Sequence, residues 1–224
     1  MKNKEDEGKK ITYVKVESLM DLARLAFGSD FSSRNLFCYQ KGSKYRIAML
    51  GEHVANNIIA YYTDSDRKCK GILYESNDSG ERAEASDADP GMEKGFIDVF
   101  EMDMGHMKEG SIDRKNIQLI KTGMDSLAKM AVKAAVHDEF IKHLYLFTYK
   151  GKQIIGGFEL VEELNDDIGN FYYAVLPKSE KGNFIAYDYK TGKIEFTERI
   201  RGYSYMYLKI INLAEPFPFF NVPD

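Results

Sequence analysis

Residues 144–161 read LYLFTYKGKQIIGGFELV, and this stretch is the clearest structural signal in the chain. Two aromatic and aliphatic runs flank the turn residues Lys150-Gly151-Lys152. Apolar runs joined by so short a turn predict an antiparallel hairpin, because parallel strands need a long crossover connection. We therefore expect an antiparallel sheet in the C-terminal part of the chain.

The rest of the C-terminal third continues the same pattern. Further strands are predicted over 171–176, 184–189, 194–197 and 203–211, with turn residues at 181–183, 191–192 and 202. The tail after residue 215 holds Phe217, Phe219 and Phe220 between prolines. These rings are too apolar for a free tail, so we expect them to dock on the sheet. A peptide that binds a partner in extended form is the alternative.

The N-terminal part mixes helix and strand signals. A strand is predicted over 11–16, and Ser18 with Asp21 marks the start of a helix that Gly28 ends. A hairpin over 36–50 and strands over 58–62 and 71–74 follow. A second helix begins at residue 125 or 126. The fold class is therefore α+β, mostly antiparallel, with two or three helices.

The sequence resembles itself when it is aligned with a copy displaced by 108 residues. The identical pairs are Ser18/Ser126, Leu19/Leu127, Ala23/Ala131, Ala26/Ala134, Asp30/Asp138 and Leu36/Leu144. This pattern raises the hypothesis of two similar helix-plus-meander halves, 1–110 and 111–224. The alternative is that two unrelated amphipathic helices followed by hairpins share small and apolar residues. Within the first half, the turn-rich and acidic stretch at about 75–95 is predicted as a linker or surface loop.

Composition limits the classes of function. The 224 residues carry 31 basic and 35 acidic side chains, and the net charge of −4 disfavours a nucleic-acid binder. The sequence contains no run of about 18 apolar residues, so no membrane-spanning segment is predicted. The charged N-terminus does not read as a signal peptide, so we expect a cytoplasmic protein. Cys38 and Cys69 have no metal-binding spacing and are expected to be reduced.

The segment 201–208, RGYSYMYL, is the most suggestive sequence motif. On a strand, Tyr203, Tyr205 and Tyr207 share one face and could contact a ligand, with Tyr187 and Tyr189 on a neighbouring strand. The segment is similar to the octapeptide of RNA-recognition motifs, which implies stacking of single-stranded RNA bases. The helix and strand that follow the octapeptide in that family have no counterpart here.

A second candidate site is the acidic stretch around residues 101–109. Glu101, Asp103, His106 and Glu109 are ligand types that a divalent metal accepts. A metal held there could activate water or clamp a phosphate. The alternative is that these acidic side chains are only solvated.

These observations lead to one leading function and two alternatives. The leading hypothesis is a non-catalytic cytoplasmic binding or assembly module, whose tyrosine-rich sheet face contacts a small-molecule ligand, a protein partner or a second copy of the chain. The first alternative is a divalent-metal-dependent enzyme that uses the acidic cluster. The second alternative is single-stranded RNA binding through the Tyr203–Tyr207 strand.

Overall fold

A computed structural model describes residues 10–28, 36–51, 58–87, 95–104, 108–109, 117–136, 143–160, 169–202 and 204–223. Within these residues the chain forms two helices and sixteen strands in three sheets. Neither of the two described helices is long and apolar enough to cross a membrane. The fold is thus rich in sheet, and most strand pairings among the described residues are antiparallel, as predicted.

The first sheet has six strands from the N-terminal half. They are β1 (Lys10–Lys15), β2 (Leu36–Lys41), β3 (Lys44–Gly51), β4 (Ile58–Ser65), β8 (Phe100–Glu101) and β9 (Lys108–Glu109). Their order across the sheet is β8-β2-β3-β4-β1-β9, so β8 and β9 form its two opposite edges. Strand β1 runs parallel to β4, a pairing that the connection through a helix allows.

Helix α1 (Leu19–Gly28) begins at the predicted cap. The Ser18 hydroxyl accepts a hydrogen bond from the Asp21 N–H at 3.1 Å and donates one to Asp21 Oδ2 at 2.7 Å. The helix ends at Gly28, as predicted. A Cβ atom at Gly28 would lie 2.2 Å from His143 Nε2, so a larger residue at this position would displace the imidazole.

The second sheet has seven strands. They are β10 (Ile117–Lys121), β11 (His143–Tyr149), β12 (Lys152–Leu160), β13 (Gly169–Val175), β14 (Phe184–Asp188), β15 (Ile194–Thr197) and β16 (Tyr205–Asn212). Their order is β10-β13-β12-β11-β16-β14-β15. Helix α2 (Met124–Val136) covers one face of this sheet and packs Leu127 and Ala131 against Leu144 and Ile155.

A third sheet replaces much of the predicted acidic loop. It contains β5 (Gly71–Asn77), β6 (Gly80–Ser86) and β7 (Phe96–Asp98) in the order β6-β5-β7. The turn-rich residues close the β5–β6 hairpin, where Asn77 Oδ1 accepts a bond from the Ser79 N–H at 2.9 Å. Glu81 and Glu84 lie three positions apart on β6 and so face opposite sides of the sheet, with Glu84 exposed and the Glu81 side chain buried. Of the predicted loop, residues 88–94 lie outside the described residues.

The two large sheets repeat one strand arrangement. In the first, the order of pairing is β2-β3-β4-β1, with β1 parallel to β4. In the second, it is β11-β12-β13-β10, with β10 parallel to β13. Cys38 pairs with Ile47 in one hairpin and Leu146 with Ile155 in the other, so both paired positions are displaced by 108 residues. The segments β1–β4 and β10–β13 therefore share strand order and pairing sense, and their hairpins share register.

The main core draws on both halves of the chain. Helix α1 contributes Leu22 and Ala26, and the second sheet contributes Ile211 and residues of β11 to β13. The C-terminal segment covers part of the second sheet, as predicted: Phe217 and Phe220 are buried, and the Phe220 ring lies 4.9 Å from that of Phe147. Among the described strands of this sheet, Tyr205 at the start of β16 is the one aromatic residue with an exposed side chain.

Candidate functional site

The structure divides the predicted tyrosine face. Tyr205 and Tyr207 lie two positions apart on β16 and share a face, with ring centroids 6.2 Å apart. Tyr187 of β14 is opposite Met206, and both pack against the core beneath α2. Tyr187 therefore faces away from Tyr205 and Tyr207. Tyr203 lies outside the described residues.

Tyr189 also lies apart from the pair on β16. It follows β14 in the turn that leads to β15, is 54% exposed, and contacts the ring of Tyr187 at 5.8 Å. The same turn is closed by Asp188, whose carboxylate accepts bonds from the Lys190 N–H at 2.8 Å and the Thr191 hydroxyl at 2.7 Å. These bonds hold the pKa of Asp188 below its ordinary value. Tyr189 therefore belongs to a turn and not to the predicted face.

The Tyr207 hydroxyl binds the main chain of Arg201 in both directions. It accepts a hydrogen bond from the Arg201 N–H at 2.6 Å and donates one to the Arg201 carbonyl oxygen. Both contacts lie within six residues, so the segment before β16 is folded back onto the strand. The result is a fixed position for the Arg201 backbone beside the two tyrosine rings.

A second hydroxyl holds the neighbouring arginine. Thr197 Oγ1 donates to the Arg199 carbonyl oxygen at 2.9 Å and accepts from the Arg199 N–H at 3.3 Å. A Thr side chain that binds the backbone two residues ahead replaces regular strand pairing with a tight turn. The chain from Thr197 to Arg201 is thus a short arch that two hydroxyl groups secure at the end of β15.

This arch borders a cleft at the edge of the second sheet. The cleft has a volume of about 490 Å³ and is lined by Glu195, Phe196, Thr197, Glu198, Arg199 and Arg201. Register places Glu195, Ala186 and Tyr207 side by side on one face across β15, β14 and β16. We call the residues Tyr205, Tyr207, Thr197, Arg199 and Arg201 the arginine arch site.

Two arginine and two glutamate side chains line the cleft beside the arginine arch site. Arg199 and Arg201 are exposed, and neither guanidinium makes an ion pair with a carboxylate of the described residues. Glu195, on the same face, is paired with Lys193 at 3.4 Å. The guanidinium groups can therefore donate hydrogen bonds to an added anion. The Tyr205 ring, which is 37% exposed, lies next to the ring of Tyr207, whose hydroxyl binds the Arg201 main chain.

Sequence reasoning identified part of this site. Tyr205, Tyr207 and Arg201 stand in the octapeptide-like segment, whereas Arg199 and Thr197 were not singled out. The Thr-x-Arg spacing is compatible with a hydroxyl-stabilised turn, but such turns are too common in sequences to indicate a site.

The structure does not bring the predicted metal ligands together. Glu101 lies on β8 and Glu109 on β9, at opposite edges of the six-stranded sheet. With about 4.8 Å between neighbouring strands, five spacings separate these edges by about 24 Å across the sheet. A single metal ion cannot bind both residues over that distance. Glu101 is paired with Lys68.

The other predicted ligands add no metal centre. Asp103 is exposed, and His106 lies outside the described residues. No group of three His, Cys, Asp or Glu side chains with metal-binding geometry occurs among the residues that the structure describes. Cys38 and Cys69 are buried and unbridged, and burial raises the pKa of both thiols.

Comparison with known proteins gives no relative for this chain: no protein-family profile, no curated protein and no solved structure matches it.

Proposed function

We propose that this protein is a non-catalytic binding module and that the arginine arch site holds a small anionic ligand with an aromatic ring. The observation that carries this proposal is the two-way hydrogen bonding between the Tyr207 hydroxyl and the main chain of Arg201. It supports a site whose backbone is already ordered before a ligand arrives. A preformed site loses less conformational entropy on binding than a flexible one.

The chemistry of the arch supports an anion. A guanidinium group donates paired hydrogen bonds to carboxylate or phosphate oxygens, and charge-assisted bonds of this kind are stronger than neutral ones. Arg199 and Arg201 carry two such groups within three residues, both without a carboxylate partner among the described residues. An anion between Arg199 and Arg201 would accept hydrogen bonds from both guanidinium groups.

The tyrosine pair supports an aromatic component. An exposed tyrosine ring offers a large flat surface at a low cost in side-chain entropy, and aromatic groups contact each other in stacked or edge-to-face arrangements. Tyr205 is exposed and Tyr207 is half-buried, with Phe184 packed edge-to-face at 6.1 Å behind Tyr207. A ring above Tyr205 would extend this aromatic row.

The size of the cleft and the charge of the chain favour a small molecule over a nucleic acid. Small-molecule sites commonly measure about 300–1,000 Å³. The cleft at the arch is an open groove of about 490 Å³, which is room for a small molecule. The net charge of −4 would oppose binding to an extended polyanion.

The repeated strand arrangement supports a further part of this proposal, namely that the architecture arose by duplication of one strand–helix–three-strand unit. The shared displacement of 108 residues in both hairpins is the support for it. In this proposal the binding cleft belongs to β14–β16, which follow the second unit and have no equivalent in the first sheet.

Isothermal titration with adenosine 5′-monophosphate tests the proposal, because this probe joins a flat ring to a phosphate. Adenosine, without the phosphate, and inorganic phosphate, without the ring, are the matched ligands. We expect binding of the nucleotide at least about tenfold tighter than either part, since each charged hydrogen bond contributes about 1.5–3 kcal/mol.

Four variants locate the binding. Arg201→Gln and Tyr205→Ala should each weaken the affinity for the nucleotide by about tenfold or more. Arg67→Gln and Tyr189→Ala remove an exposed arginine and an exposed tyrosine elsewhere, and they should leave it unchanged. Equal affinities across all four variants, or no heat with the wild-type protein, would contradict the proposal.

A further inference from the structure

Lys209 occupies an unusual position between the second sheet and the helix above it. Its Nζ atom lies 5.4 Å from the ring centroid of Phe27 in α1 and 5.1 Å from that of Tyr74 in β5. The two rings are 4.8 Å apart, so they form one aromatic wall around the amine. On β11, His143 stands in register beside Lys209.

The carboxylates near this lysine are bound to other groups. Glu81 accepts a hydrogen bond from Arg24 Nε at 2.6 Å and another from the Tyr74 hydroxyl. Asp21 accepts one from Arg24 Nη1 at 2.6 Å. Lys209 itself makes no ion pair or hydrogen bond through Nζ with the described residues. Its amine is therefore partly withdrawn from water without receiving an acceptor in exchange.

Burial lowers the pKa of the Lys209 amine below its ordinary value, and the positive charge of Arg24 acts in the same direction. The negative charge of Glu81 opposes both. The faces of Phe27 and Tyr74 attract the ammonium ion. They do not replace the hydrogen bonds to water that the ammonium group loses on burial. The further titratable neighbour is His143, at the adjacent strand position.

Lys209 is only partly buried, and Phe27, which forms one side of the aromatic wall, is 47% exposed. A small molecule can therefore reach the site along the exposed edge of Phe27. This combination separates Lys209 from surface lysines such as Lys190, which are fully hydrated, and from a lysine that is sealed in a core.

We propose that Lys209 is a covalent modification site for small aromatic aldehydes. The neutral amine attacks the carbonyl carbon and gives a carbinolamine. Loss of water then forms a C=N bond in place of the C=O bond, and both hydrogens of the amine leave with the carbonyl oxygen as water. The exposed ring of Phe27 would contact the ring of the aldehyde, and desolvation of the amine favours the neutral, nucleophilic form.

This inference does not depend on the arginine arch site, since Lys209 faces α1 and β5 and no residue of the arch takes part in the reaction. Its test needs no ligand at the arch.

Reductive labelling of the full chain measures the reaction directly. The protein is incubated at pH 7.5 with a substoichiometric amount of 2-hydroxybenzaldehyde and sodium cyanoborohydride, which reduces the imine to a stable secondary amine. Peptide mass spectrometry then gives the labelled fraction at each lysine. We expect Lys209 to be labelled at least about tenfold faster than the exposed Lys190 and Lys178. Labelling that follows exposure alone, with Lys209 among the slow sites, would overturn the proposal.

Three further measurements distinguish the reactivity of the Lys209 amine from its accessibility. The labelling rate of Lys209 should approach its plateau at a lower pH than that of Lys190, and acetaldehyde, without a ring, should show a smaller preference for Lys209. Lys209→Arg keeps the positive charge and should remove the fast phase while leaving the labelling of Lys190 unchanged. Identical pH profiles for the two lysines, or a fast phase that survives in Lys209→Arg, would overturn the proposal without any assumption about the fold of the variant.

Discussion

The Arg24 guanidinium donates from Nε to Glu81 Oε2 at 2.6 Å, and this bond joins α1 to the three-stranded sheet. Both side chains are almost completely buried, at 3% and 1% exposure. Arg24 also binds Asp21 Oδ1 at 2.6 Å and reaches the Ile210 carbonyl oxygen of the second sheet at 3.5 Å. One guanidinium therefore connects three parts of the main core.

Replacing Arg24 should strongly destabilise the protein. Arg24→Ala leaves the buried carboxylates of Asp21 and Glu81 without their hydrogen-bonded cation, and loss of one partner from a buried pair costs about 3–5 kcal/mol. Urea denaturation measures the change. Arg82→Ala is the matched control, because its pair with Glu84 is exposed and such pairs contribute about 0–1 kcal/mol. Similar losses in the two variants would contradict this account of the buried network.

Two tyrosines give opposite expectations for removal of a hydroxyl. Tyr74 donates to the buried Glu81 carboxylate, so Tyr74→Phe should cost about 1.5–3 kcal/mol of unfolding free energy. The Tyr39 hydroxyl is buried and has no partner in hydrogen-bonding geometry among the described residues. Burial raises the pKa of Tyr39 to about 12, and the nearby Arg46 and Tyr13 also influence this pKa. Tyr39→Phe should be neutral or slightly stabilising. Thermal or urea unfolding of both variants checks the order, and a larger loss for Tyr39→Phe would refute it.

Gly156 allows the close packing of β12 against Phe171. A Cβ atom there would lie 2.5 Å from Phe171 Cε1 and 2.7 Å from the Tyr172 carbonyl oxygen. Since the backbone oxygen cannot move aside easily, Gly156→Ala should destabilise the protein by about 1–3 kcal/mol. Gly169→Ala, also in a strand, would meet its nearest atom at 3.8 Å and should be tolerated. Equal stability of the two variants would show that this packing is not as close as described.

The C-terminal rings should contribute to the core. Phe217 is 2% exposed, and its ring packs edge-to-face against Tyr145 at 5.1 Å and Phe158 at 5.2 Å. Phe217→Ala should therefore cost about 3–5 kcal/mol. Phe100→Ala, at a residue that is 52% exposed, serves as the control and should cost much less. An unchanged midpoint of unfolding for Phe217→Ala would mean that the segment does not dock in solution.

Local signals predicted local structure well. The Ser18 cap, the end of α1 at Gly28 and the hairpin around Lys150-Gly151 depend on neighbouring residues, and each occurs as predicted. Docking of the C-terminal rings followed from their apolar character. The parallel pairings of β1 with β4 and of β10 with β13 were not predicted, because such pairing joins strands that are distant in sequence.

Sites were harder to predict than elements, since a site depends on register and strand order. Tyr187 and Tyr207 both lie in predicted strands rich in tyrosine, yet register places Tyr187 opposite Met206 and turns it to the α2 side. Glu101 and Glu109 are eight positions apart, yet their strands lie at opposite edges of a sheet. The position of Arg201 beside Tyr207 depends on the path of the arch, which residue types alone do not encode.

The most direct test of the arginine arch site is a ¹H–¹⁵N chemical-shift titration of the wild-type protein with adenosine 5′-monophosphate. We predict that the largest shifts occur at the amides of residues 195–201 and of Tyr205 and Tyr207, while the amides of the β5–β6 hairpin stay unchanged. Shifts confined to other surfaces, or a spectrum that does not change at saturating nucleotide, would contradict it.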